Sequence, residues 1–354
     1  MTKQLKAVVV GAGYWGPNLA RNFQASADWD LWAICDLDLE RAEQVARGIG
    51  GAPVTSDFEA VLADPAVDAV AIATPARTHY PLALAALDAG KHVMVEKPLA
   101  DTWERGRAMV DKAQCAGLVL MADHTYCYTP AVLKIRELIA EGALGDILFV
   151  DSTRINLGLI QPDVDVFWDL APHDLSILDF VLPGGLDVPA VAAHGSDPLQ
   201  TGTACIGYLA LPLRGGAMAH VQVNWLSPTK IRQMVIGGTR RTLVWDDLNP
   251  QQRVSVYDRG VDIDTVSMSS RVDRREANIS YRLGDTWAPA LPEREALSGV
   301  VGEFAAAIRE SRPARTSGES GLRVLSVLDA AQRSLGAGGA PAPLELDIRP
   351  RTAA

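Results

Sequence analysis

Short apolar segments alternate with helical segments through the first third of the chain, and this alternation restricts the fold more than any other feature. The apolar segments are rich in Val, Ile and Ala, and a segment with helical periodicity separates each from the next. Apolar strands joined through helices form a parallel sheet, because a right-handed crossover places each helix against one face of that sheet. We therefore predict a doubly wound α/β domain with strands at residues 6–10, 31–36, 68–73, 92–96 and 119–122.

Beyond a helix predicted at residues 130–141, strands follow one another directly. Residues 216–225 alternate with period 2, which is typical of antiparallel sheet, and one face carries Met218, His220, Gln222 and Asn224. We predict an α+β second domain, with domain limits 1–122 and 123–354. Its predicted helices are residues 174–182, 294–309 and 318–335, and its predicted strands are residues 147–155, 203–211, 231–236, 242–245, 254–257 and 344–347.

Composition excludes several classes of protein. A length of 354 residues predicts about two domains. The net charge of −10, from 33 Lys and Arg against 43 Asp and Glu, argues against a nucleic-acid partner, because a phosphate backbone attracts basic surfaces. No uncharged apolar run reaches the ~18 residues of a membrane span, so we expect no membrane association and a cytoplasmic location.

The four cysteines show no metal-binding spacing. Cys35, Cys115, Cys127 and Cys205 form no C-x-x-C pair, and three of them lie in segments predicted to be buried. We therefore expect free thiols, no disulfide and no metal site.

A glycine-rich turn follows the first strand directly and opens a helix. Its sequence is Gly11-Ala12-Gly13-Tyr14-Trp15-Gly16. In this context the first glycine makes a tight turn, the second admits a pyrophosphate and the third packs helix against strand. The pattern predicts dinucleotide binding that includes Tyr14 and Trp15, and a glycine-rich turn without a ligand is the alternative.

An acidic residue ends the second strand. Asp36 lies twenty residues after Gly16, where a carboxylate accepts the two ribose hydroxyls of NAD and repels a 2′-phosphate. The adjoining Leu37, also predicted to contact the cofactor, offers no cation for that phosphate, whereas Arg41 would have to reach back. We predict NAD as the cofactor, and helix capping by Asp36 is the alternative.

Two further strand ends carry polar residues next to proline. Thr74-Pro75 ends one strand and Glu96-Lys97-Pro98 ends another. Open α/β sheets bind ligands at the carboxyl edge, so Thr74, Pro75, Glu96 and Lys97 are predicted to line the cofactor site, with Lys97 near the nicotinamide. A solvated surface lysine is the alternative for Lys97.

Asp169 and His173 lie four residues apart at the predicted start of a helix. This spacing places both on one helical face, where the carboxylate would orient the imidazole, and Pro172 suggests the first helical turn. A capping aspartate followed by a buried histidine is the alternative.

With these motifs together, the chain resembles the glucose-fructose oxidoreductase and inositol dehydrogenase (Gfo/Idh/MocA) family of NAD(P)-dependent sugar oxidoreductases. The likeness covers nearly the whole chain, and it includes His79 after Ala73-Thr74-Pro75 and the final pair of helices. It implies a Rossmann domain followed by an open-faced sheet domain. It further implies that Lys97, Asp169 and His173 are the catalytic residues and that His79 lies in the cofactor-binding region.

Three further residues are predicted to bind the substrate, one from the resemblance and two from their position in the sequence. His124 matches a place where the family brings side chains near the nicotinamide and substrate, with a core or loop histidine as the alternative. Asp163 and Asp165 precede the catalytic helix, and either carboxylate would suit an ammonium group on an amino sugar or aminocyclitol, such as an aminoglycoside precursor. Two solvated loop acids are the alternative.

The function expected is oxidation of a ring secondary hydroxyl of a sugar or cyclitol to a ketone, or the reverse reduction. His173 would be the general base, Asp169 would orient it, and Lys97 would stabilise the alkoxide. One alternative is a nucleotide-sugar 3-dehydrogenase. Another is a non-catalytic NAD-binding regulator, which is disfavoured because Lys97 and His173 are both present. A homo-oligomer, dimer or tetramer, is expected from the resemblance, and the face with Met218, His220, Gln222 and Asn224 would pack the subunits together. A solvated sheet face is the alternative for these residues.

Overall fold

The computed structural model describes residues 3–161, 164–263 and 279–344. Its first part alternates strands and helices as predicted. The strands are β1 (Leu5–Val10), β2 (Trp29–Cys35), β3 (Val54–Thr55), β4 (Ala69–Ile72), β5 (His92–Glu96) and β6 (Leu120–Asp123). The helices are α1 (Gly16–Ala25), α2 (Leu39–Gly48), α3 (Phe58–Ala63), α4 (Ala76–Asp88) and α5 (Trp103–Ala116).

These strands form one parallel sheet in the order β3-β2-β1-β4-β5-β6. The centre of the sheet is apolar on both faces, and β4 is buried along its whole length. Side-chain caps begin α2 and α5, because Asp38 accepts from the amide of Arg41 and Thr102 accepts from that of Arg105. The order reverses between β1 and β4, and α/β sheets bind ligands at such a switch point. The short elements β3 and α3 were not predicted.

The second part combines strands with longer helices. Its strands are β7 (Ile147–Leu157), β8 (Ala190–Ser196), β9 (Ile206–Pro212), β10 (Met218–Asn224), β11 (Leu226–Gly238), β12 (Thr242–Asp246), β13 (Val254–Ile263), β14 (Ile279–Trp287) and β15 (Ala342–Pro343). Its helices are α6 (Pro130–Ala140), α7 (Val166–Val181), α8 (Ala296–Glu310) and α9 (Gly318–Gly336).

Its sheet runs β14-β13-β12-β11-β7-β10-β9-β8-β15. The strands pair antiparallel except β7 with β10, which are parallel, so the prediction of antiparallel neighbours for β10 holds on one side only. Helix α7 carries the chain away after β7, and the meander of β8, β9 and β10 brings it back beside β7 in the same direction. The predicted alternation along β10 is present, with Ala219, Val221 and Val223 buried.

Helix α7 begins earlier than predicted. Asp165 is its N-cap, so that Pro172 lies inside the helix rather than in its first turn. An interior proline removes a backbone donor. The buried face of the helix, which includes Phe167, Leu175 and Leu178, offsets that loss by packing in the core.

The C-terminal helices return to the parallel sheet. The Thr316 hydroxyl donates to the Ala122 carbonyl over 2.7 Å, and the Trp29 indole donates to the Val301 carbonyl over 2.8 Å. Residues after 294 therefore pack against the first domain as well as the second. The division at residue 122 stays a prediction.

Two remaining expectations concern membrane-spanning segments and the cysteine thiols. No helix in the described ranges is long and apolar enough to cross a bilayer. All four cysteines are free thiols, and Cys115 is exposed whereas the other three are buried. Of the strand predicted at residues 344–347, residues 345–347 lie outside the described ranges, and β15 (Ala342–Pro343) ends just before residue 344.

Candidate active site

One cleft crosses the carboxyl edge of the parallel sheet and continues to the second sheet. Its volume is about 1530 Å³. At one end lie the turn after β1 and the residues after β2. At the other end, loops after β5 and β6 meet helix α7 and strand β11. Most predicted site residues line this cleft: Gly11, Gly13, Tyr14, Trp15, Asp36, Leu37, Thr74, Pro75, Glu96, Lys97, Asp169 and His173.

The glycine-rich turn has the shape that a dinucleotide requires. Gly11 has a φ of +99°, and a Cβ there would lie 2.7 Å from the Ala73 carbonyl oxygen. A Cβ on Gly16 would meet the Gly11 carbonyl, so only glycine permits the close packing of turn and helix. A Cβ on Gly13 would meet nothing within 4 Å, which leaves space over the turn. These residues therefore fit a bound pyrophosphate, and Gly16 acts by packing since it does not line the cleft.

Asp36 is held at the first end of the cleft. Its carboxylate accepts from the Ala12 amide over 2.6 Å and from the Asp38 amide over 2.8 Å. Arg41 pairs with Asp38 at 3.1 Å, so this cation is already engaged by an acid. A fixed carboxylate beside an arginine that is already paired suits ribose hydroxyls better than a phosphate.

We expect NAD to bind at least about tenfold more tightly than NADP, because bringing a 2′-phosphate against Asp36 costs on the order of 1 to 3 kcal/mol. Substitution of Asp36→Ser should reduce that preference to about threefold or less. Titration of the protein with both cofactors measures it. Asp57→Asn, which removes a carboxylate that caps α3 outside the cleft, should leave the ratio unchanged. Equal affinities in the unmodified protein would contradict the role of Asp36.

His79 does not line the cleft, contrary to the expectation from the resemblance. It is 1% exposed and lies behind the cleft wall. Its ring nitrogens lie 2.8 Å from the carbonyl oxygens of Pro98 and Thr74. Burial lowers the pKa of His79. The neutral ring donates to one of these two carbonyls and lies against the other, so it bridges the loops after β4 and β5 behind the cleft.

Lys97 and Asp169 meet at the far end of the cleft. The Lys97 ammonium lies 3.6 Å from an Asp169 carboxylate oxygen and donates to the Asp169 backbone carbonyl over 3.2 Å. The other carboxylate oxygen accepts from the Trp225 indole over 3.0 Å. Helix α7 thus holds the ammonium group that follows β5, and the Trp225 indole after β10 fixes the carboxylate that pairs with it.

The predicted pairing of Asp169 with His173 is wrong. Within the described residues no hydrogen bond joins the two side chains, although both line the cleft. Their spacing places them on one helical face, but Lys97 and Trp225 engage the carboxylate instead. Asp169 therefore positions the lysine and not the imidazole.

His173 faces the cleft from helix α7. The Tyr126 ring lies edge-on to the imidazole, with centroids 5.2 Å apart. Burial lowers the pKa of His173 well below its usual value, and the positive charges of Lys97, Arg154 and Arg232 lower it further. The imidazole is therefore neutral near pH 7, in the form that accepts a proton.

Sequence reasoning missed a polar cluster opposite His173. The Arg232 guanidinium donates to the Tyr126 hydroxyl over 3.0 Å, and that hydroxyl lies 3.3 Å from the Asp247 carboxylate. Arg232 and Asp247 are 3.7 Å apart, and all three residues line the cleft. Beneath them, buried Arg154 pairs with Asp174 at 2.6 Å and supports the Tyr126 ring. No local motif marks Arg232 or Asp247.

Two predicted substrate-binding residues do not reach the cleft. His124 is 1% exposed, neither of its ring nitrogens has a partner among the described residues, and burial lowers its pKa to about 4. Asp165 caps helix α7 by accepting from the amides of Phe167 and Trp168, and it also accepts from Gln332. The His124 ring is therefore buried in the protein, and the Asp165 carboxylate serves as the cap of α7. Asp163 lies outside the described residues.

The described part of the chain contains no group of three or more His, Cys, Asp or Glu side chains that would hold a metal ion. The chemistry available at the cleft is therefore that of a lysine, a neutral histidine and several carboxylates facing a dinucleotide site.

Comparison with known families agrees with this arrangement. The family model GFO_IDH_MocA, an oxidoreductase family with an NAD-binding Rossmann fold, matches residues 5–124. The GFO/IDH/MocA C-terminal domain matches residues 132–244. The predicted fold class and family are both confirmed.

Individual relatives differ in how much of the chain they match. UDP-N-acetylglucosamine 3-dehydrogenase from Acidithiobacillus ferrooxidans is 31% identical over 91% of this chain and 94% of its own. Its solved structure, 25% identical, covers 95% of this chain and 99% of that chain with a TM-score of 0.77. Levoglucosan dehydrogenase from Pseudarthrobacter phenanthrenivorans is 33% identical, but the match spans only 48% of each chain.

A third similarity concerns the fold. The structure of GenD2 from gentamicin A biosynthesis, in complex with NAD, covers 97% of both chains with a TM-score of 0.79. Its identity is 24%, which shows a common fold. The chain belongs to the Gfo/Idh/MocA family of oxidoreductases, and residues 5–124 form its NAD-binding Rossmann fold.

Proposed function

We propose that this protein oxidises a ring secondary hydroxyl of a sugar or cyclitol to a ketone with NAD, or catalyses the reverse reduction. The observation that carries this proposal is that Lys97 and His173 face the same cleft as the glycine-rich turn. NAD supplies the hydride acceptor when bound. The protein's own residues must therefore remove the hydroxyl proton and stabilise the oxygen that loses it.

The geometry divides these tasks between two side chains. Neutral His173 accepts the hydroxyl proton, because burial and nearby cations disfavour its charged form. The Lys97 ammonium, held by Asp169, donates to the oxygen as negative charge develops there. In the reverse direction protonated His173 returns the proton to the oxygen, while the Lys97 ammonium polarises the carbonyl.

The Tyr126, Arg232 and Asp247 cluster suits recognition of further substrate hydroxyls. Arg232 donates and Asp247 accepts at adjacent positions, so together they match a hydroxyl group that does both. For an amino sugar or aminocyclitol, Asp247 is the carboxylate to bind the ammonium group that was predicted to pair with Asp163 or Asp165, because Asp247 lines the cleft.

The second candidate function is oxidation of a nucleotide-linked sugar at its 3-hydroxyl. The named activity of the relative that matches 91% of this chain supports it. This function would require additional room and an aromatic or basic subsite for the nucleotide. A regulator without catalysis is disfavoured because Lys97 and His173 are both placed at the cleft.

We also propose that the outer sheet face packs against a second copy of the chain. The face exposes large apolar side chains at Phe149, Tyr208 and Met218, which are 38%, 51% and 42% exposed. Burial of such a patch would stabilise a homo-oligomer.

An assay of NADH formation with cyclitols, free sugars, amino sugars and nucleotide sugars tests the substrate class. With the best substrate, Arg232→Gln should raise KM about 10- to 100-fold, because a charged hydrogen bond contributes about 1.5 to 3 kcal/mol. The value of kcat on the pH plateau should change less than about threefold. Arg47→Gln, on the exposed face of α2, is the matched control. Failure of every ring alcohol to react would contradict the proposed function, and an unchanged KM would contradict the role of Arg232.

A further inference from the structure

Two carboxyl groups lie side by side at the end of the cleft where Lys97 stands. Glu96 ends β5, Asp123 ends β6, and the two residues are partners in the parallel register. Both line the cleft. The proposed reaction uses neither of them, and Asp123 was not among the predicted site residues.

Asp123 is built into this position as a hydrogen-bond acceptor. It is 1% exposed, and its carboxylate accepts from the Trp15 indole over 2.9 Å and from the Thr125 hydroxyl over 2.8 Å. Trp15 belongs to the glycine-rich turn, so this hydrogen bond joins the turn after β1 to the end of β6. Two donors on Asp123 favour its ionised form.

Glu96 is placed to supply a third donor. Burial, and then the charge of Asp123, raise the pKa of Glu96 well above its usual range. Burial also raises the pKa of Asp123, whereas its hydrogen bonds to Trp15 and Thr125 oppose that change. Adjacent buried carboxyls do not both ionise, because the two negative charges repel. The proton therefore belongs on Glu96, which donates to Asp123.

The nearby cation does not cancel this charge completely. Lys97 follows Glu96 directly, but its ammonium turns towards Asp169, whose carboxylate lies 3.6 Å away. The Lys97 and Asp169 charges compensate each other, and the charge of Asp123 remains.

The position of this charge matters for the two redox forms of the cofactor. The nicotinamide ring is cationic in NAD and neutral in NADH. With the adenosine end at Asp36, an extended dinucleotide crosses β1 and β4 and places its other end towards β5 and β6. An anion there attracts the oxidised ring and has no comparable effect on the reduced one.

We propose that Glu96 and Asp123 form an acid–carboxylate pair that carries one negative charge beside the nicotinamide end of the cleft and favours binding of NAD over NADH. The pair is a positioning and charge-setting device that touches no substrate. The proposal rests on the cofactor half of the proposed function and is independent of the sugar.

Cofactor titrations without any substrate test it. Glu96→Gln keeps a donor beside an ionised Asp123, so the ratio of the NADH and NAD dissociation constants should stay within about threefold of the unmodified protein. The double variant Glu96→Gln with Asp123→Asn removes the charge and should shift the ratio about tenfold or more towards NADH. Asp88→Asn, which removes an exposed carboxylate at the end of α4 outside the cleft, should leave the ratio unchanged.

Two results would overturn the proposal: an unchanged ratio in the double variant, or a shift in Glu96→Gln as large as that in the double variant. Infrared spectroscopy gives a second test that does not depend on the folding of the double variant. The unmodified protein at neutral pH should show a protonated carboxyl band that Glu96→Gln lacks. Absence of that band would contradict the shared proton. Because no sugar is present, these outcomes are separate from success or failure of the substrate assay.

Discussion

Replacement of His173 with alanine should lower kcat by about 10²-fold or more, because the positioned proton acceptor is lost. The dissociation constant for NAD should change less than about threefold, since His173 lies on the substrate side of the cleft. Steady-state NADH formation with the best substrate and titration with NAD measure the two quantities. Arg47→Ala, which changes an exposed side chain on α2 outside the cleft, is the control.

The pH dependence gives His173 a second signature. Its lowered pKa means that the neutral base persists on acidification, so the acid limb of kcat/KM should lie below about pH 6.5, the usual histidine value. Wild-type turnover in His173→Ala would show that another group accepts the proton. An acid limb above the usual value would show that His173 is not the group that titrates.

Replacement of Lys97 with methionine should lower kcat about 10²- to 10³-fold, the range seen when a donor to a developing oxyanion is removed. Methionine keeps a long unbranched side chain but has no charge to stabilise the alkoxide. Loss of the ammonium also removes a positive charge that lowers the pKa of His173. The acid limb of the pH profile should therefore move to higher pH. It should stay below the usual histidine value, because burial is the larger cause of the lowered pKa.

Lys112→Met is the control for this substitution, because Lys112 pairs with Asp88 on the protein surface. The kcat and the pH profile of this control should match those of the unmodified protein. A Lys97→Met variant that retained wild-type kcat would exclude Lys97 from alkoxide stabilisation. A lower kcat with an unmoved acid limb would support alkoxide stabilisation by Lys97 and contradict its effect on the pKa of His173.

Sequence patterns correctly placed at the cleft the residues that directly follow parallel strands. Gly11, Gly13 and Asp36 lie in turns after parallel strands, and Lys97 also follows such a strand. The carboxyl ends of parallel strands lie at one edge of a sheet, so sequence order and strand direction suffice to bring these residues together.

His124 and Asp165 occupy sequence positions that allow two orientations, and the structure turns both side chains away from the cleft. His124 follows a strand just as Lys97 follows one, yet its ring is buried away from the cleft. Asp165 has the position of a loop acid before a helix, and it serves as the helix cap. Neither burial nor the choice between capping and ligand binding is encoded in spacing, because both depend on what packs around the side chain.

By itself, the sequence determined the doubly wound sheet, the dinucleotide-binding turn and the placement of Lys97 and His173 at one cleft. Only the tertiary structure decided which charges meet. Asp169 pairs with Lys97 and accepts from Trp225. Arg232 on β11 and Asp247 after β12 meet at Tyr126. Asp123 lies beside Glu96. The physical reason is that electrostatic pairing depends on distances of a few ångströms between elements far apart in the chain, whereas sequence patterns report the periodicity and turns of each element alone.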